Sequence, residues 1–301
     1  MTWEETKAFL APCFPEPIAA EMELLMPGEL REIRVRAGQK VVFCTAGRNV
    51  TLPWSPDARE VETLADALCE HGLYARGEEL RQGYVTLRGG HRMGLCGRVL
   101  RQDRHAHALQ DIGSVCIRVA LAWEGCANVL LPLCLREGSL RSLLIIGAPG
   151  TGKTTLLRDL SRQLSMARPH RQLAVVDERG EIAACVHGVP QLDVGACDVL
   201  DGCPKAEAFS WLIRSMAPEM IVTDELAGAQ EAAAVAEAVS CGVAVLASAH
   251  GASLRAAAAR PEIASLMAQR LFDGYAVLAS EGGGRVAAVY DRCGSPVEEK
   301  A

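Results

Sequence analysis

The segment Gly147-Ala148-Pro149-Gly150-Thr151-Gly152-Lys153-Thr154 has the residue types and spacing of G-x-x-x-x-G-K-[ST], a loop that binds phosphate. Its glycines let backbone N–H groups converge on an anion. A helix starting at its end, from Thr155, adds further N–H groups and the positive end of a dipole. In such a loop Lys153 reaches the β- and γ-phosphates and the Thr154 hydroxyl holds Mg²⁺. The motif reads phosphates and metal, not the base.

Binding is not hydrolysis, which also needs an acid to order the metal and a group to orient water. Met220-Ile221-Val222-Thr223-Asp224-Glu225 supplies an apolar run ending in two carboxylates. Asp224 would hold the Mg²⁺ shell, and Glu225 is one candidate for polarising the attacking water. A second acidic cluster, Asp177-Glu178-Arg179-Gly180-Glu181, follows another apolar run. There Glu178 and Glu181 compete with Glu225 for the base role, and a solvated loop is the alternative. His250 follows the apolar run Val243–Ser248, where it could sense the γ-phosphate or simply be a polar loop residue. Arg214 and Arg179 could each offer charge to the γ-phosphate or to a neighbouring subunit; a surface cation is the default for both.

These groups need elements that bring them to one place. Leu143 to Ile146 reads as a buried strand leading into the loop, and Thr155 to Leu164 as a helix with Leu156, Leu157, Leu160 and Leu164 on one face. Leu173 to Val176, Met220 to Thr223 and Val243 to Ser248 read as further strands. Lys205 to Met216 reads as a helix with Phe209, Leu212, Ile213 and Met216 inward, and Ala227 to Ser240 as an Ala-rich one. Strands alternating with helices imply a parallel sheet, whose carboxyl edge opens a crevice for ligands. Tyr275 to Ala279 and Arg285 to Tyr290 flank a glycine-rich turn and predict a terminal hairpin. The expected class is α/β. Residues 139–301 form the P-loop domain, and residues 1–138 a smaller α+β domain. In the latter, Glu32 to Arg36 and Val41 to Cys44 pair across a turn, Val61 to Leu80 is helical, and Gly83 to Leu87, Gly94 to Leu100 and Ser114 to Val119 are strand-like.

Composition narrows the setting. A net charge of −6 provides no basic field to attract nucleic acid. Twelve cysteines lie scattered without C-x-x-C or metal-ligand spacing, which suits buried thiols in a reducing compartment. The first residues lack the basic and apolar regions of a signal peptide, and no apolar run approaches the ~20 residues of a bilayer span. The chain reads as cytoplasmic, reaching a membrane through a partner.

Several segments together resemble the stage III sporulation protein AA family of spore-forming bacteria. These are Gly147 to Thr155, Val176 to Ala183, Asp198 to Ala206, Ile213 to Glu225 and Ala249 to Gly251. In the first domain, Glu32 to Arg36, Gly89 to Arg98 and Ile117 to Ala120 also fit. That family is similar to the ATPases of type II and type IV secretion systems, pilus motors among them. The resemblance implies a RecA-like ATPase domain behind a smaller N-terminal domain, assembled as a hexameric ring, with ATP and Mg²⁺ bound between subunits. By that likeness Asp177 to Glu181 match an acidic box, Asp224-Glu225 a Walker B pair and His250 a histidine box. The implied role is to energise a secretion-like channel between mother cell and forespore, with membrane-protein components of that channel as partners. Those motors usually carry Gly where this chain has Asp224.

One local charge feature remains. Between Arg81 and Arg104 lie six arginines against one acid, Asp103, with His91, His105 and His107 in or beside the stretch. It is a solvated strand face, or Arg92 or Arg98 reaches a neighbour's γ-phosphate. A contact with single-stranded nucleic acid is opposed by the lack of interleaved aromatics, since only Tyr84 is near. Two other activities are open to this sequence. One is a RecA-like ATPase stimulated by nucleic acid; the other is a nucleotide-dependent scaffold without turnover.

Overall fold

Thr2 opens the first helix, α1 (Trp3–Leu10), in a reciprocal cap: its hydroxyl accepts from the Glu5 amide while the Glu5 carboxylate accepts from the Thr2 amide. The structure is a computed structural model and describes residues 2–81, 83–102, 105–120, 124–281 and 283–297. The chain divides into two compact units, Met1–Ala122 and Trp123–Ala301.

In the first unit α1 is followed by α2 (Glu16–Glu23), β1 (Leu30–Arg36), β2 (Val42–Thr45) and β3 (Asn49–Thr51). Then come α3 (Ala58–Leu68), α4 (Gly77–Arg81), β4 (Tyr84–Thr86), β5 (Arg92–Gln102) and β6 (His105–Arg118). Ile33 and Val35 alternate with charged residues along β1, so one face of the strand is buried. The six strands form one antiparallel sheet in the order β3-β2-β1-β6-β5-β4. The helix expected over residues 61–80 is interrupted. α3 starts on an Asp57–Glu60 capping box and stops after Leu68, because Glu70 (φ 52°) and His71 (φ 61°) turn left-handed.

The second unit begins with α5 (Leu131–Cys134) and a small ribbon, β7 (Leu135–Arg136) with β8 (Ser139–Leu140). It continues through β9 (Leu143–Gly147), α6 (Lys153–Ser165), β10 (Leu173–Asp177), β11 (Cys197–Asp201), α7 (Lys205–Ser215) and β12 (Met220–Glu225). Last are α8 (Ala229–Ser240), β13 (Ala244–His250), α9 (Leu254–Ala258), α10 (Pro261–Ala268), β14 (Gly274–Leu278) and β15 (Val286–Asp291). The unit starts earlier than the sequence boundary at 138/139. Ala127, Leu130 and Cys134 are buried in the same core as Leu156, Leu157 and Leu160 of α6, and the Ala127 amide donates to Asp159 at 2.9 Å.

Seven strands form the second sheet, in the order β11-β10-β12-β13-β9-β14-β15. All neighbours are parallel except the final hairpin, β14 with β15. Alternate residues feed two cores. Leu144, Ile146, Val245 and Tyr275 face one with Phe209 and Val235, while Leu143, Ile145, Leu246 and Ala276 face the other with Leu157 and Leu160. Burial on both faces explains why these strands read as continuous apolar runs. Met216, expected inward, is exposed because α7 has already ended at Ser215. The carboxyl ends of β9, β10, β12 and β13 therefore open along one edge.

Candidate nucleotide site

At that edge every residue of β9 is buried up to Gly147, and α6 takes over at Lys153. Gly152 caps the helix with φ 100° and carries no side chain that could occupy the first N–H groups. Those groups have no partner within a helix. With Gly150 also left-handed at φ 76°, the loop presents them around a concavity suited to phosphate. The Thr151 hydroxyl donates to the Ala148 carbonyl at 2.8 Å and braces the turn. Lys153 Nζ donates to the carbonyls of Gly147 at 2.8 Å and Ala148 at 3.0 Å. Burial pulls this ammonium below its ordinary range, opposed by the carboxylates of Glu225 and Glu181. Thr154 and Thr155 are half-buried in the first turn of α6.

The terminal hairpin closes on this loop, a contact with no signal in the sequence. The Gly284 amide donates to the Thr151 carbonyl at 2.9 Å. A Cβ on Gly152 would lie 2.8 Å from Gly284 N and 3.0 Å from its Cα. Glycine is thus required at 152 for both its φ and its neighbour.

Asp177 does not face the crevice. It is fully buried, and its two oxygens accept from the amides of Glu181 (2.8 Å), Ile182 (3.1 Å), Ala183 (2.7 Å) and Ala184 (3.2 Å). Arg158 of α6 grips the same loop from the other side, donating to the carbonyls of Ile182 at 2.6 Å and Glu181 at 2.7 Å. Together they fix an otherwise irregular segment that carries the exposed Glu181. In the sequence Arg158 is one more cation in a charged helix, and only its contacts in the fold reveal this role.

At the end of β12 the two acids part company. Glu225 is half-buried and pairs with Ser248 across β13, after an irregularity in the ladder between Val222 and Glu225. Asp224 is buried, with Oδ1 2.8 Å from Lys205 Nζ. Lys205, the first residue of α7, also lies 3.1 Å from Glu178 and 3.9 Å from Glu231. Burial works against this ammonium, but Asp224, Glu178 and Glu231 outweigh it and raise its pKa. Sequence reasoning misses Lys205 as well, since nothing around Pro204-Lys205-Ala206 signals a buried charge.

His250 is exposed and stands opposite Gly147 in the β13–β9 register, beside the loop. Arg179 is exposed on the loop after β10. Arg214 is not brought to the site. It lies about 13 Å along α7 from Lys205 at 1.5 Å per residue, and its Nε donates to the Ser210 carbonyl.

In the first unit Arg92 stacks on the Tyr84 ring at 3.5 Å, and Arg98 is 3.9 Å from Asp111. His91 is a core residue: it is fully buried, stacks on Phe9, and accepts from the Ala120 amide at 2.9 Å through Nδ1. Asp103 and Arg104 lie outside the described residues, as do the side chains of Arg101, His105 and His107.

The Thr154 hydroxyl in the first turn of α6 and the carboxylates of Glu225 and Glu181, neither of them buried, are hard donors of the kind Mg²⁺ takes. Among the described residues, no helix is long and apolar enough to cross a membrane.

The chain is similar to several known proteins. The family model described as sporulation stage III, protein AA matches residues 18–297. Stage III sporulation protein AA of Bacillus subtilis (strain 168) is 42% identical over 272 residues, spanning 89% of this chain and 88% of that protein. Among solved structures, the ATPase DotB of Yersinia pseudotuberculosis superposes with a TM-score of 0.57 at 14% identity, over 89% of this chain and 74% of its own. The pilus retraction motor PilT with bound ADP does so with a TM-score of 0.55 at 16% identity, over 82% and 74%. At such identities the likeness is one of fold: a P-loop ATPase domain with a mostly parallel sheet, joined to a smaller α+β domain.

Proposed function

Because the chain belongs to the sporulation stage III protein AA family, we propose that it binds and hydrolyses ATP to energise a secretion-like channel between mother cell and forespore. The observation that carries the reading is the phosphate cradle between β9 and α6, with Lys153 buried in it and the ends of β12 and β13, bearing Glu225 and His250, along the same edge of the sheet. In the chemistry proposed, the amides of Gly150 to Thr155 hold the nucleotide phosphates. Lys153 exchanges its contacts with the Gly147 and Ala148 carbonyls for phosphate oxygens. Magnesium, when bound, would neutralise developing charge on the transferred phosphoryl group. Thr154 would hold it. Glu225 would orient the attacking water, with Glu181 and Glu178 as the competing bases, and His250, opposite Gly147 in the sheet, would contact the γ-phosphate. Asp177 supports the reading indirectly, by fixing the loop that carries two of these acids.

Hydrolysis of this type also calls for a positive group at the γ-phosphate. Arg214, remote from its own P-loop, suits a site completed by a neighbour, as do Arg92, Arg98 and Arg179. We assign the chain to a homo-oligomeric ring, hexameric by its likeness to the secretion motors, in the cytoplasm and recruited to the membrane by channel components. The test is ATP turnover per chain against protein concentration, with and without single-stranded DNA. Turnover that rises with concentration and ignores DNA is expected. Flat, DNA-stimulated turnover would point to a nucleic-acid motor, and no turnover at any concentration to a scaffold. Lys153→Ala should abolish nucleotide binding while the protein stays folded; unchanged turnover in that variant would refute the site.

A further inference from the structure

Lys205 is a buried cation that the nucleotide chemistry above does not use. Its side chain is 2% exposed, and three elements meet on its Nζ: the end of β12 through Asp224, the loop after β10 through Glu178, and the first turn of α8 through Glu231. Asp224 is itself only 4% exposed. A carboxylate so enclosed needs a counter-charge inside the protein, because removing one partner of a buried pair strands the other. The ammonium supplies it at 2.8 Å, the shortest of its three contacts. Glu225, the next residue of β12, is instead half-buried and stands opposite Ser248 of β13, which pairs in turn with Ile145 of β9, the strand that leads into the phosphate loop.

We propose that Lys205 is the resident counter-ion of Asp224, that the pair is a positioning device tying β12 to the loop after β10, and that Glu225 is the β12 carboxylate offered to a nucleotide-borne Mg²⁺. The magnesium part rests on the nucleotide reading, and with Glu225 on the metal it leaves the water to the competing acids of the loop after β10; the pairing rests on neither. Asp224 then serves the site by keeping two acidic segments together that would otherwise repel. Glu178 is drawn toward the same ammonium, at 3.1 Å.

Four variants of the full chain decide this: Lys205→Met, Asp224→Asn, the two combined, and Glu225→Gln. Melting without nucleotide reads the pairing. Lys205→Met should lower the melting temperature by about 10 °C, and adding Asp224→Asn should recover part of that loss. The Mg²⁺ half-saturation for binding a fluorescent ATP analogue reads the metal. Asp224→Asn should leave it within about twofold, whereas Glu225→Gln should raise it about tenfold or more. If Lys205→Met does not fold, recovery of a folded protein in the double variant supports the pairing. Additive melting losses overturn the pairing, and an Asp224→Asn shift as large as that of Glu225→Gln overturns the metal assignment. A wild type that binds no nucleotide refutes the functional reading instead, and the melting cycle still decides whether Lys205 belongs to Asp224.

Discussion

Replacing Gly152 with alanine should damage the phosphate loop far more than the same change at Gly150, although both residues are left-handed. At Gly150, with φ 76°, an added Cβ meets nothing within 4 Å, so only the backbone conformation is penalised, by about 1–2 kcal/mol. At Gly152, φ is 100° and the Cβ would sit 2.8 Å from Gly284 N and 3.0 Å from Gly284 Cα. Backbone on both sides leaves no flexible side chain to yield, and overpacking of this kind costs about 1–3 kcal/mol more. Relief requires the hairpin to lift, which sacrifices the Gly284–Thr151 hydrogen bond, another ~1 kcal/mol. These costs overlap, so Gly152→Ala should lose about 3–5 kcal/mol against about 1–2 for Gly150→Ala. Denaturant unfolding of the two variants measures the difference. Hydrogen exchange should locate it, with faster exchange of the Gly284 amide in Gly152→Ala alone. Two variants within about 0.5 kcal/mol of each other, or an unchanged Gly284 amide, would refute the claim that the hairpin braces the loop.

Asp177→Asn turns an amide NH₂ toward N–H groups that now share a carboxylate, and should cost about 2–3 kcal/mol. Exchange of the Glu181 to Ala184 amides should accelerate, and unchanged protection there would count against the anchoring role. His91 gives the first unit a pH dependence. Burial lowers its pKa from about 6.5 to about 4, so as pH falls the unfolded chain takes up the proton first. Its contribution is fully present above pH 6.5 and declines by about 3 kcal/mol on the way to pH 4. His91→Gln should remove that slope, and a variant whose stability tracks the wild type over this window would contradict the burial argument.

The apolar runs and the phosphate motif were legible because burial on both faces and a fixed turn chemistry leave local marks. Leu143 to Ile146 could be little else than an inner strand, and Val243 to Ser248 likewise. Cys197–Asp201 carries no such mark. It lies at the sheet edge, where Asp198 and Asp201 remain exposed, so its composition resembles a loop. The helices α2, α9 and α10 are equally unmarked, being short segments whose boundaries depend on packing, whereas α1 carries the Thr2-x-x-Glu5 cap pattern and no apolar run long enough to call it. At the site, P-loop residues are contiguous and can be read in order. Lys205 meets Glu178 and Asp224 from different elements, so only the folded sheet assembles them. Arg158 and Asp177 act on backbone groups, which leave no trace in the neighbouring residue types.

β14 pairs with β9 in parallel, and the turn beyond it rests on the loop that β9 introduces. The Ser142 amide is likewise held by the Asp273 carboxylate, 131 positions further along the chain. During synthesis, then, the strand leading to Lys153 leaves the ribosome well before β14, and one of its edges waits unpaired while about 130 further residues are made. Until β14 arrives, a row of backbone donors and acceptors on an apolar strand is open to wrong partners. A nascent chain that has not yet reached β14 and the turn after it has every residue of the phosphate motif and not yet the brace that shapes it.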